Sequence, residues 1–308
     1  MSSLLNKIIT NTGIFFLKGI SYLPFGLLYL LSDAMFVVVY HLVRYRRNVV
    51  EKNLRNSFPE RDETWIALTT RDYFRYMCDI FVETLKTRTM TADQLSKRMV
   101  IVNPEVLNRF YDEGRSVTVM SVHYGNWEWL AHMPLHIRHR QLFVYKPMSN
   151  EPFDQFMNGI RSRFGGETTA MNILLRKLIR ASQSGERVMT WLAADQTPPW
   201  YHSFWTRFLN QETQFFRGPA QLAKRFGQPV VLQTIHRKAR GYYETKFEVL
   251  FEHPERVDEE TIILTYVAHI EAHILKDPVC YLWSHRRWKH RRPDEHPLHA
   301  RLHLPDLP

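Results

Sequence analysis

The chain has 308 residues, of which 44% are hydrophobic and 13% aromatic. That length and composition indicate a globular protein with a substantial core and exclude an intrinsically disordered chain. The formal net charge of +10 calls for an acidic partner: nucleic acid, an anionic membrane surface, or an acidic protein or substrate. The two cysteines, Cys78 and Cys280, supply neither a disulfide framework nor the ligand spacing of a metal site.

The most apolar part of the chain lies near its N-terminus. Residues 25–43 approach the roughly 20 residues that one bilayer crossing needs, but Asp33 in their middle is costly in lipid. The segment is therefore either a single span or a helix lying in the interface. The basic residues 44–47 mark the cytoplasmic side and bind anionic head groups. We expect residues 1–43 to anchor the protein in the membrane and residues 44–308 to form one cytoplasm-facing domain; the alternative is a buried helical hairpin.

The rest of the chain predicts an α/β fold with a mostly parallel central sheet flanked by helices. Residues 60–98 carry apolar side chains at helical intervals, and extended and helical segments then alternate, as in parallel sheets. The predicted strands are 117–122, 141–146, 187–194, 229–236 and 243–251. The predicted helices are 124–133, 152–164, 171–183, 217–226 and 258–276.

His123 and Glu128 are the best indication of chemistry. His123 follows a buried β-branched strand, and Asp195 follows another, at the strand ends where ligands gather in such folds. A histidine takes a proton from a hydroxyl when a carboxylate orients the ring and stabilises its cation. We expect Glu128 to be that carboxylate if it lies in the first turns of the following helix. The alternative is a buried histidine beside a surface glutamate.

Several other chemistries fit the sequence poorly. It contains no Gly-x-Ser-x-Gly elbow and no cysteine in an activating motif, which disfavours a covalent acyl-enzyme and favours direct transfer. His132, His136 and His139 lack a zinc-site spacing, so no metal and no cofactor is expected. The basic residues are spread along the chain without a nucleic-acid-binding signature, so we expect no nucleic acid partner.

Five blocks of sequence stand in a fixed order along nearly the whole chain. They are residues 44–54 with Phe58-Pro59, residues 123–128, residues 145–147 with 158–163, Asp195-Gln196 with 204–218, and residues 281–289. This series resembles the bacterial lipid A late acyltransferases, the lauroyl/myristoyl transferase family within the glycerolipid acyltransferase-like superfamily. Asn210 stands where many members have a glycine.

The resemblance implies a membrane-bound O-acyltransferase of the bacterial inner membrane. It would move a fatty acyl chain from acyl carrier protein, or alternatively from acyl-CoA, to a hydroxyl of a lipid A precursor. One alternative is an acyltransferase that uses another membrane lipid as acceptor. The other is a non-catalytic lipid-binding homologue. His123 and Glu128 would be catalytic. Substrate-binding roles would fall on Asn126, Arg161, Arg163, Asp195, Gln196, Arg286 and Arg287.

Two of these assignments, and the role of one aromatic cluster, have alternatives. Arg161 and Arg163 are two residues apart, so only one can face the site from a helix, and Arg161 is preferred. The basic stretch 286–292 would receive the acidic carrier or lipid phosphates, or it is a solvated tail. The aromatic residues Trp200, Tyr201, Phe204 and Trp205 would line an acyl slot or belong to the core.

Overall fold

The computed structural model describes residues 2–199 and 203–302. The chain begins with two helices, α1 (Ser2–Ile20) and α2 (Phe25–Phe36), and α2 runs on as a π-helical segment, Val37–Val43. Within the described residues, Phe25–Val43 is the helix long and apolar enough to cross a membrane by length and composition. Much of its surface is apolar and exposed, as at Leu30 and Leu42.

Asp33, whose charge is costly in lipid, has a partner in the α/β part of the chain. Its carboxylate accepts a hydrogen bond of 2.7 Å from the Arg240 guanidinium, which also binds the buried Asp79 at 2.6 Å. Arg240 thus neutralises a charge on α2 and fixes that helix against the domain. The face of α2 that packs on protein buries Leu28, Ser32 and Phe36, while apolar side chains on its other side, such as Leu30, remain exposed.

Three helices, α3 (Arg47–Ser57), α4 (Glu63–Thr87) and α5 (Ala92–Arg98), lead into the first strand of the central sheet, and α6 (Glu105–Asp112) follows that strand. The region 60–98, predicted helical, contains both α4 and α5. Each of these begins at a side-chain cap: Asp62 accepts from the Trp65 amide, and Thr91 forms a reciprocal capping box with Gln94.

The central sheet has seven strands in the order β1-β9-β8-β2-β5-β3-β4. Every neighbouring pair is parallel except β8 and β9, which confirms the predicted fold class. The strands are β1 (Met99–Ile101), β2 (Val117–Ser121), β3 (Arg140–Tyr145), β4 (Glu167–Ala170), β5 (Val188–Ala193), β8 (Val230–Ala239) and β9 (Tyr242–Phe251).

The helices around this sheet follow the predicted segments closely. They are α7 (Glu151–Arg161), α8 (Leu174–Ser184), α9 (Gly218–Phe226) and α10 (Glu259–Lys276). One differs in type, since the predicted helix 124–133 is a 3-10 helix, Trp127–Leu135. It contains Pro134, which lacks the amide hydrogen that a longer α-helix would need there.

A second, three-stranded sheet was not predicted. It contains the hairpin β6 (Ser203–Phe208) and β7 (Gln211–Phe216), with β10 (Leu298–His299) beside β6. Leu209 and Asn210 form the turn with positive φ angles of 49° and 62°, a backbone conformation that asparagine tolerates better than most residues. Phe204 and Trp205 are buried core residues, whereas Trp200 and Tyr201 lie outside the described residues.

Candidate active site

The register of two parallel strands brings His123 to Asp195. Ser121 and Ala193 are paired at the carboxyl ends of β2 and β5, and each candidate residue lies two positions beyond. The Asp195 carboxylate accepts from His123 Nδ1 at 2.7 Å and from the His123 backbone amide at 3.2 Å. Two donors from one residue fix the carboxylate, which in turn fixes the ring.

Asp195 is held in its ionised form. Its side chain is 2% exposed, and although burial alone would raise its pKa, His123 and then Arg287 keep the pKa below its usual value. An ionised Asp195 accepts the Nδ1 proton, which assigns the other ring nitrogen as the one that can take a proton. The pair thus has the arrangement of a general base and its orienting carboxylate.

The other ring nitrogen, Nε2, contacts the Gln196 side chain. His123 Nε2 lies 3.3 Å from the Gln196 side-chain nitrogen, and the Trp127 ring packs edge-on against the imidazole with 5.4 Å between centroids. The His123 side chain remains 19% exposed.

Glu128 has a different partner from the predicted one. Its carboxylate forms a two-point ion pair with Arg161 at 2.6 and 2.8 Å; the hydrogen bonds of the His123 ring go to Asp195 and Gln196. Burial raises the pKa of Glu128, but Arg161 and the nearby His123 bring it below its usual value. The contact that the structure shows for Glu128 is thus with Arg161 of the segment 151–161, and the predicted contact with the His123 ring is not among the described hydrogen bonds.

The turn that carries His123 requires a glycine. Gly125 has a φ of +62°, and a Cβ atom there would overlap the Ile235 side chain. The Gly125 carbonyl accepts from the Tyr76 hydroxyl at 2.5 Å, and its amide donates to the Cys280 carbonyl at 3.1 Å. The turn is thus held from α4 on one side and from the C-terminal segment on the other.

Comparison with known proteins identifies the family of the chain. The model of the bacterial lipid A biosynthesis acyltransferase family matches residues 2–290. The chain belongs to this family. The lipid A biosynthesis palmitoleoyltransferase of Escherichia coli strain K12 is 26% identical over 287 residues, 90% of each chain. The lipid A biosynthesis lauroyltransferase of the same strain is 23% identical, over 92% of each chain.

A solved structure, the 1-acyl-sn-glycerophosphate acyltransferase PlsC from Thermotoga maritima, aligns with 81% of this chain and 95% of its own. The TM-score is 0.37 and the identity 13%. The family assignment confirms the resemblance drawn from the five sequence blocks. It also confirms the prediction that the chain is an acyltransferase.

Two residues predicted to bind substrate, Asn126 and Arg163, form hydrogen bonds with other parts of the protein. Asn126 is fully buried; its Nδ2 donates to Glu83 at 2.7 Å and its oxygen accepts from the Trp129 amide at 3.1 Å. Arg163 donates to the Met90 carbonyl at 2.8 Å, near the end of α4. Asn126 thus contacts buried protein groups and Arg163 is exposed, while the preferred arginine, Arg161, is ion-paired with Glu128.

The two arginines near the C-terminus have opposite environments. Arg286 is exposed, whereas Arg287 is 2% exposed, donates to the Gln214 carbonyl at 2.5 Å and lies over the Phe215 ring. A buried guanidinium is inaccessible to an acidic carrier or a lipid phosphate. Arg287 thus lies buried, and its charge lowers the pKa of the Asp195 carboxyl.

Sequence reasoning missed His285 and Glu83. His285 Nε2 lies 3.3 Å from the Thr197 hydroxyl, just after Asp195-Gln196, and burial followed by Arg287 lowers the pKa of His285 to about 4. It lies within the block 281–289, but nothing in its spacing indicates which strand end it reaches. Glu83 lies inside an amphipathic helix, and no local signal distinguishes it from a solvated residue.

Proposed function

We propose that the protein transfers a fatty acyl group from a thioester to a hydroxyl of a lipid A precursor, with His123 as general base. The observation that carries this proposal is the Asp195–His123 hydrogen bond of 2.7 Å, which occupies Nδ1 and leaves Nε2 as the nitrogen that can take a proton. Family membership supports the lipid A precursor as acceptor.

The reaction would be a direct transfer. The acceptor hydroxyl gives its proton to His123 Nε2 as its oxygen attacks the thioester carbonyl carbon. The tetrahedral intermediate then collapses, the carbon–sulfur bond breaks, and the thiolate takes the proton back from the imidazolium. A positioned base of this kind contributes about 10²–10⁴-fold, and the ionised Asp195 stabilises the transient imidazolium.

Arg161 is the group best placed to stabilise negative charge. Its side chain is 27% exposed, and Glu128 fixes it in place from the protein side. A guanidinium held in this way serves either the oxyanion of the intermediate or a substrate phosphate, because its fork of donors is already oriented. Glu128 would thus act by holding Arg161 rather than by contacting the imidazole.

The purified protein tests the reaction directly. Acyl carrier protein and CoA carrying the same acyl chain are offered with a lipid A precursor, and products are followed by mass spectrometry. We expect an ester product with at least one donor, and none from His123→Ala with its fold intact. Formation of the ester by His123→Ala at the wild-type rate would refute the role of His123.

We also propose that α1 and α2 attach the protein to the cytoplasmic face of the inner membrane by lying in the interface. Exposed apolar side chains cover both helices, as at Phe15, Phe16 and Leu30. The ion pair between Asp33 and Arg240 joins the middle of the apolar segment Phe25–Val43 to the α/β part of the protein. A helix crossing the bilayer would carry that pair to its centre, where charge is costly.

Cysteine labelling separates the two arrangements. Cys78 and Cys280 are buried, while Tyr22 and Tyr45, at opposite ends of the apolar segment, are 70% and 53% exposed. In inside-out membrane vesicles, we expect a membrane-impermeant maleimide to label both Tyr22→Cys and Tyr45→Cys. Labelling of Tyr45→Cys alone would indicate a span.

A further inference from the structure

Glu83, in the middle of α4, is where three parts of the molecule meet. Its side chain is fully buried. One carboxylate oxygen accepts from the Tyr29 hydroxyl of α2 at 2.9 Å. The other accepts from Asn126 Nδ2 at 2.7 Å and from the Tyr243 hydroxyl of β9 at 2.9 Å. We call residues 123–126 the catalytic turn. Helix α2, strand β9 and the catalytic turn thus all donate hydrogen bonds to the Glu83 carboxylate.

Asn126 transmits this arrangement to the catalytic turn. Its amide nitrogen is anchored by Glu83, and its oxygen caps the Trp129 backbone amide, at the start of the 3-10 helix. The Trp129 indole also donates to the Glu83 backbone carbonyl at 3.0 Å. A change in the orientation of Glu83 would therefore rotate Asn126 and break its hydrogen bond to the Trp129 amide. The catalytic turn, which includes His123, would then move.

We propose that Glu83 is a positioning residue for acyl transfer and that α2, through Tyr29, completes the hydrogen bonding that holds the catalytic turn in its active geometry. This inference rests on the proposed function. An unsatisfied buried carboxylate oxygen is unfavourable, so without the Tyr29 hydroxyl the carboxylate would rotate towards its remaining donors. The catalytic turn is then the part that moves, because Asn126 has no second anchor for its amide nitrogen among the described hydrogen bonds.

The same helix provides a matched control. One turn earlier on α4, Asp79 accepts from the Ser32 hydroxyl of α2 at 2.7 Å, and both side chains are buried. The two hydrogen bonds join the same helices with the same chemistry. They differ in the other partner of each carboxylate: Asp79 also accepts from Arg240, whereas Glu83 also accepts from Asn126.

The test compares Tyr29→Phe with Ser32→Ala in the full-length protein. We expect Tyr29→Phe to lower kcat roughly tenfold with KM within about twofold, because small displacements of a catalytic group are costly. Ser32→Ala should retain kcat within about twofold. Glu83→Gln should retain most of the activity, since its oxygen still accepts from Asn126 and its amide can donate to Tyr29.

Hydrogen–deuterium exchange of residues 123–129 gives a readout that does not depend on turnover. We expect faster exchange there in Tyr29→Phe and wild-type exchange in Ser32→Ala. Equal effects of the two variants on exchange and kcat would overturn the inference and leave α2 a stabilising helix only. Absence of turnover in the wild-type protein would instead overturn the proposed function, and the exchange data would still decide the inference.

Discussion

Replacing Asp195 by asparagine isolates the charge that the histidine needs. Asparagine has nearly the same shape, and its oxygen can still accept from the Nδ1 hydrogen and the backbone amide of His123. The variant therefore keeps the geometry but removes the negative charge beside the imidazolium that forms during transfer. It also leaves the buried Arg287 without its nearby carboxylate.

The expected loss follows from Coulomb's law. A carboxylate and an imidazolium whose charges lie about 4 Å apart interact by about 4 kcal/mol at an effective dielectric constant of about 20. That charge interaction exists only once the ring is protonated, so it lowers the barrier rather than strengthening substrate binding. Since about 1.4 kcal/mol corresponds to a factor of ten, we expect kcat to fall roughly 10³-fold.

The assay is steady-state acyl transfer by purified Asp195→Asn and wild-type protein, with unfolding midpoints measured in parallel to establish that the variant folds. Glu128→Gln is the comparison, because Glu128 is a buried carboxylate near the same ring but bound to Arg161. If Asp195→Asn retained more than about a tenth of wild-type kcat while Glu128→Gln abolished turnover, the orienting carboxylate would be Glu128 after all.

Three further predictions concern the turn, the docked helix and pH. Gly125→Ala should abolish activity and lower the unfolding midpoint, because its Cβ overlaps β8 and its φ is positive; wild-type values would contradict this. Arg240→Met should lower the free energy of unfolding in urea by about 2–4 kcal/mol, since it strips the buried Asp79 of its main ion pair; a change below about 0.5 kcal/mol would argue against α2 docking. Burial lowers the pKa of His132 and His273 to about 4, so the unfolded chain binds more protons between about pH 4 and 6.5. Their contribution to stability is lost as the pH falls through that window, and replacing either histidine by glutamine should make the dependence shallower in urea titrations at pH 5 and 7.

The sequence predicted the positions of His123 and Asp195 better than their partnership. Both stand just beyond apolar runs, so their location at strand ends followed from local pattern alone. Their contact depends on β2 and β5 being neighbours with Ser121 opposite Ala193, which is a matter of sheet order. Glu128, being close in sequence, was therefore preferred as the partner of His123.

Burial explains the remaining differences. Asn126 and Arg287 are polar residues in recognisable blocks, and polarity alone indicates an exposed, substrate-facing role. The structure buries both because a cap and an internal carboxylate need them. Asp33 is the same case within an apolar helix: its partner Arg240 lies 207 residues away along the chain, too far for any local pattern to reveal.

We propose that the His123–Asp195 pair catalyses the acylation of a lipid A precursor. This proposal is tested most directly by mass spectrometry of lipid A from cells that lack this protein and carry either the wild-type chain or His123→Ala. We predict an additional acyl chain on lipid A in the presence of the wild-type protein and its absence with His123→Ala at equal protein levels. Identical lipid A in both strains, or a change confined to phospholipids, would contradict the account.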